Sequence, residues 1–265
     1  MKKKVYLIIS IDTECDKSHN WDVKQPLSFA NIFDQEKTLM PLFNKYSIKP
    51  TYLLSPEVLK HKKSINFFKN NQAKIELGTH LHAEFIEPFV NMNSITTKKV
   101  QSDLNKDIEF EKLRNLTDFF IKEFGFQPLS FRAGRFGVSN KTLIYLKDLG
   151  YKVDSSYLPY KYLRFKKSYI NGWNIDLIPF FRDELLEIPV THFSKNYTKL
   201  PSSLRKNFCN PFSIQSRIFR KLYGSRKASW LRPFRHDKNE LINIAEFTIR
   251  QIFKKKDYAI LNIMF

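Results

Sequence analysis

Cysteine is nearly missing from this chain. Cys15 and Cys209 are the only two in 265 residues, and they lie far apart outside any Cys-x-x-Cys pattern. That spacing argues against a disulfide framework and a thiolate zinc site, and leaves two free thiols in a reducing compartment as the expectation. Long apolar runs are missing too, since no stretch approaches the roughly 20 residues that a bilayer span needs. Acidic residues are few, with 26 Asp and Glu against 45 Lys and Arg, for a formal net charge of +19. Only seven glycines are present, and with abundant lysine they fit a general compositional bias.

What is present is globular. Hydrophobic residues make up 42% and aromatics 15%, which is not the composition of a disordered chain. The length suits one large α/β domain or two small ones, and because no internal repeat or low-complexity linker divides residues 1–265 one domain is the economical reading. The start, Met1-Lys-Lys-Lys4 then Val5-Tyr-Leu-Ile-Ile9, has the outline of a signal peptide. Its apolar run is too short, however, and Asp12 and Glu14 close it without a small-residue cleavage site. It reads as a buried first strand, and a cytoplasmic location is expected. The net charge implies attraction to something anionic: nucleic acid, an acidic membrane leaflet, or an acidic or lipid-linked glycan. Between Lys199 and Arg235 the residues Arg205, Lys206, Arg217, Arg220, Lys221, Arg226, Lys227, Arg232 and Arg235 alternate with aromatics, the makings of an electropositive surface.

Hydrophobic periodicity gives alternating elements. Strands are expected at Val5–Ile11, Thr51–Leu54, Lys74–Gly78, Pro128–Arg132, Tyr151–Asp154, Leu185–Val190 and Tyr258–Phe265. Helices are expected at Glu36–Tyr46, Pro56–Asn70, Asn105–Phe124 closed by Gly125, a segment opened by Ser139 and ended by Gly150, and Asn239–Lys255. Strands alternating with helices imply a parallel sheet. Six or seven such units favour a single-domain barrel, with long irregular insertions at 157–185 and 193–237.

In parallel α/β folds the chemistry sits at the C-terminal ends of the strands. Here those ends read Asp12-Thr13-Glu14, Thr79-His80-Leu81-His82-Ala83-Glu84, Arg132-Ala133-Gly134-Arg135 and Asp154-Ser155-Ser156, with Glu187 in a later strand. His80 and His82 are the only close histidine pair. Two imidazoles with neighbouring carboxylates offer three or four N/O ligands, the set that a catalytic Zn²⁺ or similar divalent ion takes with one position open. Alone, an Asp-x-Glu caps a turn, a His-x-His pair is more often structural, and an arginine pairs with any carboxylate. Gathered at the strand ends of one rim they are harder to explain by structure alone.

These segments also resemble a known family. Ser10-Ile-Asp12-Thr-Glu14, Glu76-Leu-Gly78-Thr-His80-Leu-His82, Phe131-Arg132-Ala-Gly-Arg-Phe-Gly137 and Val153-Asp154-Ser-Ser156 come in the order and approximate spacing of the polysaccharide deacetylase family, the NodB-homology domain, in a divergent branch associated with surface-polysaccharide synthesis. The resemblance covers nearly the whole chain. It implies a distorted (β/α)7-type barrel and metal-dependent hydrolysis of an N- or O-acetyl group on a sugar. By the same resemblance Asp12 is the catalytic base, Arg132 the arginine that orients it, and Asp154 the acidic partner of a late general-acid histidine. The metal-binding acid falls on Thr13 or Glu14, and because threonine is a poor ligand Glu14 is expected to be the ligand with His80, while either His82 or Glu84 completes the set. The family's late histidine follows a terminal strand like Ala259–Phe265. The resemblance therefore implies a domain lacking its last C-terminal elements, or a substitute such as His192 or His236. The expected metal is Zn²⁺, with Co²⁺, Ni²⁺ or Mn²⁺ as alternatives. The expected partner is an acetylated saccharide, anionic or lipid-linked, held by Arg135 and Glu187, with peripheral contact to an acidic membrane surface. Specific nucleic-acid binding is not expected, because no recognised motif is present and carboxylates crowd the rim. The rival expectation is a catalytically weak or inactive glycan-binding scaffold of polysaccharide assembly.

Overall fold

The computed structural model describes residues 2–20, 22–89, 100–172, 175–193, 213–223 and 229–265. Two compact units emerge, one made of Ile9–Asp154 and the other of Met1–Ile8 with Ser155–Phe265.

The unit 9–154 is a run of β–α repeats. Strand β1 (Lys4–Thr13) enters it at Ile9, and α1 (Ala30–Asp34) and α2 (Leu39–Lys45) follow. Strand β2 (Thr51–Leu54) leads into α3 (Pro56–Lys60) and α4 (Lys62–Asn71). Then come β3 (Glu76–Leu81), α5 (Lys106–Phe124), β4 (Ser130–Ala133), α6 (Asn140–Asp148) and β5 (Val153–Asp154). Each strand pairs in parallel with the next, in the spatial order β1-β2-β3-β4-β5. The α/β class and the parallel strands expected of a distorted barrel are what the chain forms. Leu53, Leu54, Val58, Phe68, Leu113, Leu116, Phe120 and Phe131 are buried in this core, which supplies the dominant stabilising term.

Several details differ from the sequence-based expectation for physical reasons. Strand β1 is buried only in its second half, while Val5, Tyr6 and Leu7 are about half exposed. Strand β2 pairs with Ser10–Thr13, and the earlier residues of β1 lie outside that pairing. The expected long helix from Pro56 is two helices, because His61 takes extended backbone angles (φ −93°, ψ 103°) between them. Strand β3 runs on to Leu81, so His80 lies inside it and His82 directly after it. The ends of α5 and α6 are as the sequence indicates. Gly125 adopts the left-handed cap (φ 79°) that favours glycine, and Ser139 forms a capping box with Thr142.

The second unit contains the β6–β7 hairpin (Tyr162–Arg164 and Tyr169–Asn171) and the β8–β9 pair (Phe180–Arg182 and Leu185–Glu187), both antiparallel. The region expected to be irregular is thus partly built of short strands, and the expected strand Leu185–Val190 is one arm of such a pair. Strands β10 (His192–Phe193) and β11 (Ser229–Trp230) are also antiparallel. Helices α7 (Ile214–Tyr223) and α8 (Lys238–Ile252) and strand β12 (Tyr258–Met264) complete it, with β12 beside the start of β1. Phe193, Leu231, Ile244, Ile252, Ala259 and Leu261 belong to its core cluster. Of the basic segment, Arg205, Lys206, Arg226 and Lys227 lie outside the described residues, as does Cys209. Among the described residues no helix is long and apolar enough to cross a membrane.

One buried group in the first unit makes stability depend on pH. Glu109 on α5 is fully buried and accepts a hydrogen bond from the Thr142 hydroxyl. Burial pushes its carboxyl up to about 7, against the pull of that bond. The folded state therefore favours the protonated acid. Its contribution is complete below the unfolded value near 4.5 and is lost as pH rises through 7. Glu109→Gln keeps a neutral acceptor for Thr142. It should leave stability nearly unchanged at pH 5 and raise it by about 2 kcal/mol at pH 8. Urea unfolding at the two pH values measures this.

Candidate metal centre

The site grows out of strand periodicity. Side chains two apart share one face of a strand, so Ser10 and Asp12 project together from β1, and Glu14 continues the series beyond its end. His80 does the same from β3, with His82 following it. Strand β4 places Arg132 opposite His80 in register.

Arg132 is fully buried and holds both sides of the site. Its guanidinium donates to Asp12 Oδ1 at 2.6 Å and to the Ser10 hydroxyl at 2.7 Å. Its own carbonyl lies 2.9 Å from His80 Nδ1. A carbonyl only accepts, so Nδ1 carries the proton and Nε2 is left with a bare lone pair. His82 is fixed in the same sense, with Nδ1 3.4 Å from a Glu84 carboxylate oxygen. Glu84 is in turn gripped by Arg135 through both guanidinium NH2 groups.

The two bare nitrogens face one another, His80 Nε2 and His82 Nε2 standing 3.2 Å apart. Glu14 Oε2 is 3.1 Å from His82 Nε2, and Glu14 Oε1 is 3.5 Å from His80 Nε2. These are three lone-pair donors with no proton assigned between them. Burial presses the same way, holding the His80 imidazole near 4 and His82 below its ordinary value, so both are neutral at pH 7. Ligands around a tetrahedral zinc at about 2.0–2.1 Å stand about 3.3 Å apart. The Glu14, His80 and His82 atoms match that spacing and form a group that could hold a metal ion. Asp12 Oδ2 is 3.9 Å from His80 Nε2, at the edge of the cluster.

The remaining residues named from the sequence fall as follows. Glu84 sits on the far nitrogen of His82, outside the Glu14–His80–His82 group, in the position of a carboxylate that orients a ligand. Burial would raise its carboxyl, but the bonds from His82 and Arg135 outweigh that and hold it at about 2. Arg135 is engaged with Glu84. Both it and Phe136 adopt left-handed backbone angles (φ 55° and 57°), a local strain. Gly134 permits the close approach of this turn, since a Cβ there would meet the Leu81 carbonyl at 2.4 Å and the His82 ring at 3.2 Å. Thr13 is buried and donates its hydroxyl to Ile11 O, so it does not face the cluster as Glu14 does. Asp154 is fully buried at the end of β5. Glu187 and His192 belong to the other unit. Glu187 accepts the Tyr157 N–H at 3.3 Å, and His192 Nδ1 lies 2.6 Å from Pro159 O. His236 pairs with Glu240 at 2.9 Å.

Two residues were not singled out from the sequence. Lys17, mostly buried, places its ammonium on Glu14 Oε2, and burial lowers its pKa to about 8. Glu57, at the start of α3, is buried and accepts the Cys15 N–H at 3.2 Å. It is the carboxylate that most favours the charged Lys17, and it raises the buried Cys15 thiol further, to about 12 after desolvation. Glu57 had a legible signal, since Ser55-Pro56-Glu57 also follows a strand end. Lys17 had none among 45 basic residues.

Fold and cluster together define an α/β protein with a buried Glu-His-His site at the ends of parallel strands. No protein-family model matches the chain, and no curated protein sequence matches it. Solved structures do share its fold. One is assigned as a polysaccharide deacetylase of Mycobacterium smegmatis, with TM-score 0.52 and 14% identity over 100% of this chain and 78% of that one. Another is Puue allantoinase, with TM-score 0.52 and 12% identity over 99% of this chain and 77% of that one. At such identities the likeness is one of fold.

The orienting role of Glu84 is testable. Glu84→Gln removes the charge that fixes the His82 tautomer and neutralises Arg135. It should weaken zinc binding about 10- to 100-fold while leaving the ligands in place, as measured by competition with a chromogenic chelator.

Proposed function

We propose that this chain is a metal-dependent hydrolase that removes an acetyl group from a saccharide of a polysaccharide or its precursor. The observation that carries the reading is the facing pair of His80 and His82 Nε2 atoms beside Glu14, with the Asp12–Arg132 pair at its edge. The fold shared with a polysaccharide deacetylase supports it, and the resemblance of the strand-end motifs is the ground for proposing a saccharide substrate. The allantoinase of the same fold shows why the fold alone does not choose a substrate.

Glu14, His80 and His82 are the residues that would hold the ion. Two imidazoles and a carboxylate suit Zn²⁺ first, and Co²⁺, Ni²⁺ or Mn²⁺ also accept such donors. When bound, such an ion polarises a carbonyl and makes water more acidic. Asp12 takes the proton from the attacking water as general base. Arg132 aims Asp12 through its 2.6 Å bond. Arg135 stands 30% exposed at the site's rim and is the group through which an anionic sugar would be felt. Asp154 and Glu187 are proposed as the partner of a general acid and a saccharide contact. Within this reading the protein acts in the cytoplasm.

A second reading, a weakly active or inactive glycan-binding protein, is favoured by Lys17, whose ammonium occupies a Glu14 oxygen.

Asp12→Asn keeps the shape and removes the base. Acetate release from acetylated oligosaccharides should fall about 10²- to 10⁴-fold, with metal content unchanged. Wild-type turnover in the variant would remove Asp12 from the mechanism.

A further inference from the structure

The same Glu14 oxygen is contested. Oε2 lies 3.1 Å from His82 Nε2, the spacing of two ligands on one ion, and it also receives the Lys17 ammonium. Lys17 and Glu14 are each only 14% exposed, so water screens the pair little. Lys17 also feels Glu57, Glu84 and Asp12 as attractive charges and Arg135 as a repulsive one. The neighbourhood holds four carboxylates, Asp12, Glu14, Glu57 and Glu84, and three fixed cations, Lys17, Arg132 and Arg135. Two of the cations have defined duties, Arg132 on Asp12 and Arg135 on Glu84. Lys17 has Glu14, and with it in place the carboxylates are nearly neutralised. A divalent ion added beside the ammonium would leave a buried net positive charge. With the ammonium withdrawn, the same ion would balance the remaining groups.

We infer that Lys17 is a built-in competitor of the metal: its ammonium and a divalent cation exclude each other at Glu14, so the ion binds only as Lys17 swings out. This inference rests on the metal-centre reading and adds to it a control of affinity. The exchange needs no covalent step. The segment that carries Lys17 is anchored by a backbone bridge to Val23 and by the Ser18 N–H to Asp22 carbonyl bond at 2.9 Å. Only the flexible lysine side chain therefore has to move.

The test is calorimetric titration of the full chain with Zn²⁺ alone, for wild type, Lys17→Met and Lys17→Arg. Methionine keeps the apolar stem and drops the charge, and arginine keeps the charge. Lys17→Met should bind Zn²⁺ about 10- to 100-fold tighter than wild type, and Lys17→Arg should not. Equal affinity in wild type and Lys17→Met would overturn the competition while leaving the metal centre standing. Absence of zinc binding in all three would overturn the metal centre and the competition with it. If Lys17→Met fails to fold, as read from its thermal melt, the wild type decides. Zinc should increase the labelling of Lys17 by an amine-reactive reagent, read by peptide mass spectrometry. Unchanged labelling at saturating zinc would sink the proposal.

Discussion

The first unit's site depends on one residue, Arg132. It is fully buried on strand β4, where an unpaired guanidinium would be strongly destabilising. Its charge is met by Asp12 and a second donor reaches Ser10, so β1 is tied to β4 across two intervening strands. Its carbonyl fixes the tautomer of His80. One residue thus sets the orientation of the candidate base and the direction of a ligand's lone pair. Loss of the side chain would remove this tie to Asp12 from a site shaped for a cation. A buried arginine at this position serves the site more directly than it serves the stability of the sheet.

Around that tie the site is assembled in pairs. Arg135 answers Glu84, Glu84 orients His82, and Lys17 answers Glu14. Lys112 on α5, buried, donates to the carbonyls of Ala83 and Ile86 and so pins the turn that carries His82 and Glu84. The left-handed residues Arg135 and Phe136 mark where backbone strain is accepted to bring the guanidinium to Glu84. Four carboxylates, Asp12, Glu14, Glu57 and Glu84, gather here within a strongly basic chain, an arrangement that suits a cation better than the phosphate of a nucleic acid.

Much of this was legible in the sequence because parallel strands announce themselves. Apolar runs ending in Asp12, His80, Arg132 and Asp154 place those residues on one rim by topology alone. The alternation of His80 with His82 needs only the period of two. The missing parts follow from what periodicity does not carry. The break at His61 is a change in one residue's backbone angles within a continuous helical pattern. Strands of two or three residues, such as β8 and β9, are too short to show alternation. The choice between His82 and Glu84 turned on which atoms face inward. Lys17 is one lysine among many until the fold buries it, and Glu57 after Pro56 has the pattern of an ordinary helix start.

The central claim is that Glu14, His80 and His82 bind one divalent ion. Equilibrium dialysis against excess Zn²⁺ followed by mass-spectrometric metal analysis, on wild type and on a His80→Ala, His82→Ala double variant, addresses it most directly. The account predicts close to one zinc per wild-type chain and essentially none in the double variant. A wild type without zinc, or a double variant holding as much as the wild type, would contradict it.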